Sequence, residues 1–225
     1  MSSNHNGDMG RMIKMIREAK NAGADIAKFQ LYNTESLIRD PKYYPTLKRG
    51  ELSRGQWELA VDECNNVGIE FIASVFDEER ISWCETVSMR RYKISSYDIY
   101  NYPLIRAVLQ TGKDIIVSLG MVDTRGIPDI YGKGKIYYLY CVSKYPAELS
   151  DINFSSVNFK IFSGFSDHTI GIEASIMAMA RGANIIEKHF TLDKILDGWD
   201  HQLSMNPEDL KTIVHYARAF EQIKR

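Results

Sequence analysis

The chain alternates short apolar segments, rich in β-branched residues, with longer segments in which apolar residues recur at helical spacing. The short segments predict strands at 25–30, 69–75, 91–96, 114–119, 135–141, 160–166 and 184–190. The longer segments predict helices at 8–22, 54–66, 77–88, 101–110, 170–181 and 206–223. Strands that alternate with helices in this way are typical of βαβ units and a parallel sheet.

The ends of the predicted helices carry residues that suit helix boundaries. Asp8, Ser53 and Asp77 suit N-cap positions, and Asn206 precedes a proline that suits the first helical position. Glycines stand between several helices and the next strand, at Gly23, Gly68, Gly112 and Gly182. The phrases NAGADIAKF and ARGANIIEKHF resemble each other, which indicates one helix–glycine–strand unit used twice.

The number of predicted strands is one short of a (β/α)8 barrel, and no dinucleotide-binding glycine loop is present. Only a very short segment, too short for a full strand, precedes the Asn-His-Asn-Gly sequence at 4–7, so we expect the first strand to be short or missing. The connections 120–134 and 146–159 are too weakly helical for full helices. The sequence therefore predicts an α/β protein with a single domain over 1–225, a pared-down (β/α)8 TIM barrel with some helices shortened.

Composition excludes several classes of protein. The chain has 225 residues, of which 44% are hydrophobic, which is enough for a full core. Its formal net charge is −1 without a long basic block, which argues against nucleic-acid binding. No apolar run approaches the roughly 20 residues of a membrane span, and the start lacks a signal region. Cys64, Cys84 and Cys141 have no metal-binding spacing, so we expect buried thiols in a reducing, cytoplasmic environment.

Two segments place a histidine at or just past the end of a predicted strand. GFSDHTIG contains His168, and EKHFTLD contains His189. Because side chains alternate across a strand, Ser166 shares a face with His168, and Glu187 shares one with His189. Histidines at the ends of neighbouring strands can close on one metal ion. The Asp-rich turn LDGWDH, which follows, offers a further ligand or a base.

Further polar residues fall at the ends of the other predicted strands, where a barrel carries its catalytic groups. They are Lys28, Gln30, Lys93, Ser95, Ser96, Asp98, Ser118 and Tyr145. Two lysines that point into a barrel core are costly unless they meet an anion, so lysines and serine hydroxyls together predict a phosphate and carboxylate site. A metal ion beside that site would polarise a carbonyl as a Lewis acid. Each residue alone also suits a turn or a solvent-facing position, and their convergence on one rim favours a function.

Eight phrases of the sequence occur in the order found in a known family: SNHNGD, AKFQ, KISSYDIYNYPLI, VSLGM, CVSKYP, GFSDHTIG, ARGANIIEKHFTLD and DGWDHQLSMNPEDL. With them the chain resembles the catalytic barrel of the N-acetylneuraminate synthases, the phosphoenolpyruvate-condensing sialic acid synthase family. That family includes legionaminate, pseudaminate and spore-coat polysaccharide synthases. The resemblance runs from residue 4 to about residue 215, and the SDHT and EKHFT motifs are specific to it.

The resemblance implies roles for the residues at matching positions. His168 and His189 match the two protein ligands of a divalent metal ion, Mn²⁺ or Mg²⁺. A second set matches the phosphoenolpyruvate site: Lys28, Ser74, Lys93, Ser96, Ser118 and Ser166. A third set matches positions near the sugar: Gln30, Asp98, Tyr145 and Asp200. The catalytic residues implied are His168, His189, Lys28, Lys93, Asp98 and Asp200.

The implied reaction joins phosphoenolpyruvate to an N-acylated mannosamine-type sugar in its open-chain aldehyde form. The metal would polarise the aldehyde, the enol carbon would attack it, and water would add to the resulting cation. The tetrahedral intermediate would then expel phosphate and leave a sialic acid or a related nonulosonic acid. The expected partners are therefore phosphoenolpyruvate, an N-acyl hexosamine and a second copy of the chain in a homodimer.

The chain departs from the family pattern in several places. The first strand is nearly absent, and the sequence stops at Arg225, before the antifreeze-like domain that gives an arginine to a partner's site. Tyr140 and Cys141 replace the usual His-Cys pair, and Ser74 and Val75 stand where Thr-Pro is usual. We therefore expect phosphoenolpyruvate to bind, with weak synthase activity from this chain alone.

Two other hypotheses remain open at this point. A different metal-dependent barrel enzyme, such as a class II aldolase or a sugar-phosphate epimerase, also uses two histidines and a lysine, although it usually needs a third His or Glu ligand. A degenerate barrel would bind a sugar or a phosphate without catalysis. The missing strand favours that hypothesis, and the intact ring of lysines and serines opposes it.

Overall fold

The computed structural model describes residues 1–38 and 40–223, so Arg39, Lys224 and Arg225 of the predicted domain 1–225 lie outside the described residues. Within the described part, the framework is a seven-stranded parallel sheet whose strands pair in chain order. The strands are β1 (Ile26–Leu31), β2 (Glu70–Val75), β3 (Arg91–Ile94), β4 (Asp114–Ser118), β5 (Ile136–Cys141), β6 (Gly164–Asp167) and β7 (Ile185–Lys188). Every predicted strand is confirmed. The largest shift is at β6, because residues 159–161 form a turn before it.

Helices connect most of the strands. They are α1 (Met9–Asn21), α2 (Thr34–Leu37), α3 (Tyr44–Gly50), α4 (Arg54–Val67), α5 (Glu78–Thr86), α6 (Tyr102–Gln110), α7 (Glu173–Ala180) and α8 (Pro207–Ile223). All six predicted helices are confirmed, and α2 and α3 fall in a stretch for which no element was predicted. The two shortened connections are confirmed as well. No helix lies between β4 and β5, and only the 3₁₀ turns Leu149–Asp151 and Phe154–Ser156 lie between β5 and β6.

Local hydrogen bonds fix the predicted helix boundaries. The Ser53 hydroxyl accepts from the Gln56 N–H, and the Gln56 side chain accepts from the Ser53 N–H, which forms a capping box. Asn206 and Asp209 exchange the same pair of bonds at the start of α8. Gly68 ends α4 with φ of 71°, a left-handed conformation that glycine adopts at low cost.

The sheet curls around an interior that opens between its two edge strands. In the described residues β1 and β7 do not pair, and a cavity of about 480 Å³ separates them. The segment 1–7 crosses this gap at the carboxyl end of the sheet. Its amino terminus donates to the Lys28 carbonyl oxygen at 2.7 Å, and the Asn4 side chain donates to the Phe190 carbonyl oxygen at 2.9 Å. Residues 2–7 form turns and not a strand, as expected for the first strand of the pared-down barrel. The described residues thus form a curled α/β sheet of seven parallel strands, which fits the predicted barrel roughly without showing a complete (β/α)8 arrangement.

The three cysteines are buried free thiols, as predicted. Two of them, Cys64 and Cys84, belong to the main core between the sheet and the helices, together with large side chains such as Phe29 and Trp57. Cys141 ends β5 on the interior side. No helix within residues 1–38 and 40–223 is long and apolar enough to cross a membrane.

Candidate active site

The interior face of the sheet is apolar at its base and polar at its carboxyl end. The base is a cluster of apolar residues: Ile26, Ile72, Ile116, Tyr137, Leu139 and Ile185. Side chains two positions apart in a strand share a face, so the next interior layer follows directly from the sequence. This layer contains Lys28, Ser74, Ser118, Cys141 and Glu187. The predicted polar rim therefore lies on an apolar floor.

The two predicted metal-binding histidines lie beside each other at the ends of β6 and β7. Their ring centroids are 5.5 Å apart. The Nδ1 atom of His168 lies 2.8 Å from the Val142 carbonyl oxygen, so Nδ1–H donates there and Nε2 carries the lone pair. The Tyr145 ring lies over His168 with a centroid distance of 4.2 Å. Burial, with the neighbouring His189, lowers the pKa of His168 to about 4, so its ring is neutral at physiological pH.

Asp200 lies behind the second histidine. Its Oδ2 is 3.2 Å from His189 Nδ1. The same oxygen lies 2.9 Å from the Ser2 hydroxyl, which in turn is 2.9 Å from Gln30 Oε1. Burial opposes ionisation of Asp200, but the contacts with His189 and Ser2 outweigh it and hold its pKa below the usual range. This network brings the predicted residues Gln30, Asp200 and His189 together.

The histidine pair fits a divalent ion. Bonds from histidine nitrogen to a metal are about 2.0–2.1 Å long, so two rings with centroids 5.5 Å apart can reach one ion. An acceptor beside Nδ1 of each ring is the usual arrangement around metal-binding histidines. His189 Nδ1 is buried and has no hydrogen bond of good geometry, although Asp200 is close. No cluster of three or more His, Cys, Asp or Glu side chains in the described residues is arranged to hold a metal, so water or substrate would complete the shell.

Lys93 is a deeply buried charge on the interior face of the sheet. Its side chain is 2% exposed, and its Nζ donates to the Ser118 hydroxyl at 2.7 Å and to the Ile94 carbonyl oxygen at 2.8 Å. Burial lowers the pKa of Lys93 to about 8, and Glu187 opposes this shift. Lys28 and Ser166 line the cavity between β1 and β7. The positive charges of Lys28 and Lys93 both lower the pKa of Glu187. The structure thus places both predicted lysines around one interior space.

Glu187 is a site residue that the sequence prediction left out. Its Oε1 accepts from the Ser166 hydroxyl at 2.8 Å and lies 4.0 Å from Lys93 Nζ. Burial alone would raise its pKa, but Lys28 and Lys93 lower the pKa to about 2, so the carboxylate is ionised. The signal was present in the sequence, because Glu187 shares the face of His189.

The remaining predicted residues differ in their surroundings. Ser74 is buried and is the register partner of Lys93. The Ser96 hydroxyl accepts from the Gly120 N–H at 3.0 Å and lies 3.7 Å from Cys141 Sγ. Asp98 is buried, but its carboxylate is held by its own turn, with the Ser95 hydroxyl at 2.9 Å. Asp98 therefore stands apart from the histidine–aspartate network.

A second cavity of about 490 Å³ lies outside the polar layer. Its wall combines apolar, aromatic and small polar side chains: Gln30, Leu37, Ile38, Asp40, Tyr43, Leu47, Phe76, Ser95, Ser96, Tyr97, Met121, Ser143 and Tyr145. Tyr43 packs edge-on against Trp199 with a centroid distance of 5.0 Å. Such a wall suits a compact polar molecule that also carries apolar groups.

Comparisons with known proteins find relatives over almost the whole chain. A model of the NeuB family matches residues 15–225. N,N'-diacetyllegionaminic acid synthase of Legionella pneumophila is 34% identical, over 98% of this chain and 70% of that protein. N-acetylneuraminate-9-phosphate synthase of Homo sapiens is 32% identical, over 99% of this chain and 69% of that protein.

Among solved structures, N-acetylneuraminic acid (sialic acid) synthetase from Leptospira borgpetersenii, crystallised with citrate, superimposes with a TM-score of 0.93. It is 33% identical, and the match covers 99% of this chain and 82% of that one. The resemblance noted from the sequence motifs is thereby confirmed over almost the whole chain. The chain belongs to the NeuB family, whose members include the synthases of Legionella and human origin described above.

Proposed function

We propose that this chain condenses phosphoenolpyruvate with an N-acylated mannosamine-type sugar to give a sialic acid or a related nonulosonic acid and phosphate. One observation carries the proposal: His168, His189, Lys28 and Glu187 line one cavity, and the Nζ atom of Lys93 lies 4.0 Å from Glu187 Oε1 at its edge. The two histidines can hold a metal ion that polarises the sugar's aldehyde, which is the electrophile. The two lysines can bind phosphoenolpyruvate, which is the anionic nucleophile. The names of the family relatives support the same class of reaction.

The anion half of the site binds phosphoenolpyruvate in this proposal. Lys28 and Lys93 neutralise its charges, and hydroxyl groups donate to its phosphate, from Ser74, Ser96, Ser118 and Ser166. Lys93 already uses two of its three N–H donors, on Ser118 and Ile94, so one donor remains for the ligand. Glu187 serves as the counter-charge that keeps Lys93 protonated before the anion arrives.

The electrophile half holds a divalent ion, Mn²⁺ or Mg²⁺, on His168 and His189. When bound, the ion supplies Lewis-acid polarisation of the sugar's aldehyde oxygen. Asp200 keeps the His189 ring in place. The sugar occupies the outer cavity, where Gln30 and Tyr145 line the wall and apolar side chains such as Met121 contact its N-acyl group. Asp98 contributes by fixing the turn at the edge of that cavity.

We also propose how the open side of the sheet is covered. The unpaired edges of β1 and β7 and the apolar cavity between them favour an eighth extended segment, which would complete a (β/α)8 barrel. A homodimer is the simplest arrangement in which a second chain shields this side. The buried thiols suit a reducing compartment, which supports a cytoplasmic location.

Phosphate release tests the proposed reaction. The purified chain is incubated with phosphoenolpyruvate, Mn²⁺ and a panel of mannosamine derivatives, with and without N-acyl groups. Phosphate should appear only with an N-acylated sugar, and Lys93→Met should lower the rate of its release at least about tenfold when phosphoenolpyruvate is not saturating. His215→Ala, on the exposed side of α8, is the matched control and should retain the rate. Binding of phosphoenolpyruvate without phosphate release for any sugar would favour the non-catalytic barrel.

A further inference from the structure

A buried ion pair lies behind the two histidines, on the face of the sheet that packs against α7. Asp167 and Lys188 are partners in the register of β6 and β7. Asp167 Oδ2 and Lys188 Nζ are 3.1 Å apart, and the two side chains are 0% and 1% exposed. Because side chains alternate along a strand, the next residues, His168 and His189, lie on the opposite, interior face.

The polar contacts of this pair hold the turn that carries His168. Asp167 Oδ1 accepts from both the N–H and the hydroxyl of Thr169, each at 2.8 Å. Asp167 Oδ2 accepts from the Ser175 hydroxyl on α7 at 2.6 Å. Lys188 Nζ donates to the Thr169 carbonyl oxygen at 2.6 Å. Hydrogen bonds and the ion pair therefore hold Asp167 and Thr169, the residues on either side of His168. Lys188, which contacts both of them, directly precedes His189.

Stability does not account for such a pair. A buried ion pair can often be replaced by apolar side chains without loss of stability, because desolvation of the charges offsets their attraction. The contacts described above supply something that an apolar pair cannot, namely directional bonds between the ends of β6 and β7. These bonds join the turn that carries His168 to the strand that leads into His189.

We infer that Asp167 and Lys188 are positioning residues that set the separation of His168 and His189 for the divalent ion. The inference rests on the metal site proposed above. In this role neither residue binds the metal or the substrate directly, because both side chains are buried on the face opposite to the histidines. They act through Thr169 and through the backbone that leads into each histidine.

The test compares metal binding with phosphoenolpyruvate binding. Asp167→Asn, Lys188→Met and the double variant are titrated with Mn²⁺ by electron paramagnetic resonance. Phosphoenolpyruvate is titrated calorimetrically without metal. Loss of groups that orient metal ligands typically costs 10–100-fold in metal affinity, so we expect a loss of about tenfold or more. Affinity for phosphoenolpyruvate should change less than about twofold, because Lys28 and Lys93 lie on β1 and β3 and only one of the proposed hydroxyl donors, Ser166, lies on β6.

Two comparisons separate positioning from general destabilisation. Val108→Ala removes buried volume from α6, away from β6 and β7, and should lower the melting temperature without weakening Mn²⁺ binding. The double variant leaves no unpaired buried charge, so it should fold even where a single variant does not. It should regain stability without regaining Mn²⁺ affinity. Wild-type Mn²⁺ affinity in the double variant would overturn the inference.

A metal-free readout keeps the two proposals distinguishable. The Nδ1–H of His168 is bonded to the Val142 carbonyl oxygen and should give a slowly exchanging proton NMR signal in the apo protein. The double variant should lose or shift that signal. If the native chain fails to bind Mn²⁺ but the signal still depends on the pair, the metal proposal fails and the positioning role stands. An unchanged signal in the double variant contradicts the positioning role.

Discussion

Replacement of Lys93 by methionine tests the anion site most directly. The Nζ atom is buried, bonded to Ser118 and Ile94, and 4.0 Å from Glu187. One donor therefore remains for the ligand. A hydrogen bond to a charged group contributes roughly 1.5–3 kcal/mol, and each 1.4 kcal/mol is about tenfold in affinity. Lys93→Met should therefore weaken phosphoenolpyruvate binding by roughly 10- to 150-fold.

Isothermal titration calorimetry of the metal-free protein measures this change. Lys211→Met is the matched control, because Lys211 is exposed on α8 and forms a surface ion pair with Glu208. Its affinity for phosphoenolpyruvate should stay within about twofold of the native value. Thermal unfolding shows whether Lys93→Met remains folded, since Ser118 and the Ile94 carbonyl each lose a partner. Equal affinity in a folded Lys93→Met chain would show that this lysine is only structural.

The same site predicts a pH dependence with a definite sign. Burial lowers the pKa of Lys93 to about 8, from 10.5 for a free lysine. Only the protonated lysine attracts the anion, so affinity is fully present below pH 8 and decreases as the pH rises through that value. In Lys93→Met the dependence between pH 7.5 and 9.5 should disappear. A native profile that stays flat over that range would refute the reasoning.

The remaining predictions concern the metal, the acid side of the pH profile and the oligomeric state. His168→Ala/His189→Ala should abolish tight Mn²⁺ binding, whereas His215→Ala should retain it in the same titration. The pKa of Glu187 is lowered to about 2 from 4.5. The ionised carboxylate therefore stabilises the folded state above pH 4.5, and this stabilisation is lost as the pH falls towards 2. Glu187→Gln should flatten this part of the acid-unfolding curve followed by circular dichroism. Light scattering at micromolar concentration should give a dimer mass, and a monomer mass would contradict shielding of the β1–β7 gap by a second chain.

Much of this protein follows from local patterns in the chain. Alternation of side chains along each strand places Ser166 on the face of His168 and Glu187 on the face of His189. In the structure Ser166 and Glu187 are joined by a hydrogen bond on that face, a contact that the sequence did not predict. Capping residues such as Ser53 and Asn206 mark helix ends because they bond to backbone only three residues away. Family motifs such as SDHT and EKHFT can also be read directly from the sequence, because each motif is a short contiguous segment.

Contacts between distant segments were not available from those patterns. Ser2 meets Asp200 across 198 positions, and Asp200 meets His189 only because the loop after β7 folds back over the sheet end. The alternation rule gives the face of Glu187 but not its distance from Lys93, which depends on how far the sheet curls. For Asp98 the sequence predicted a position near the sugar, but in the structure its carboxylate accepts a hydrogen bond from Ser95 within its own turn. Curvature, loop return and competition for hydrogen bonds are properties of the assembled chain, and they arise from packing between elements far apart in sequence.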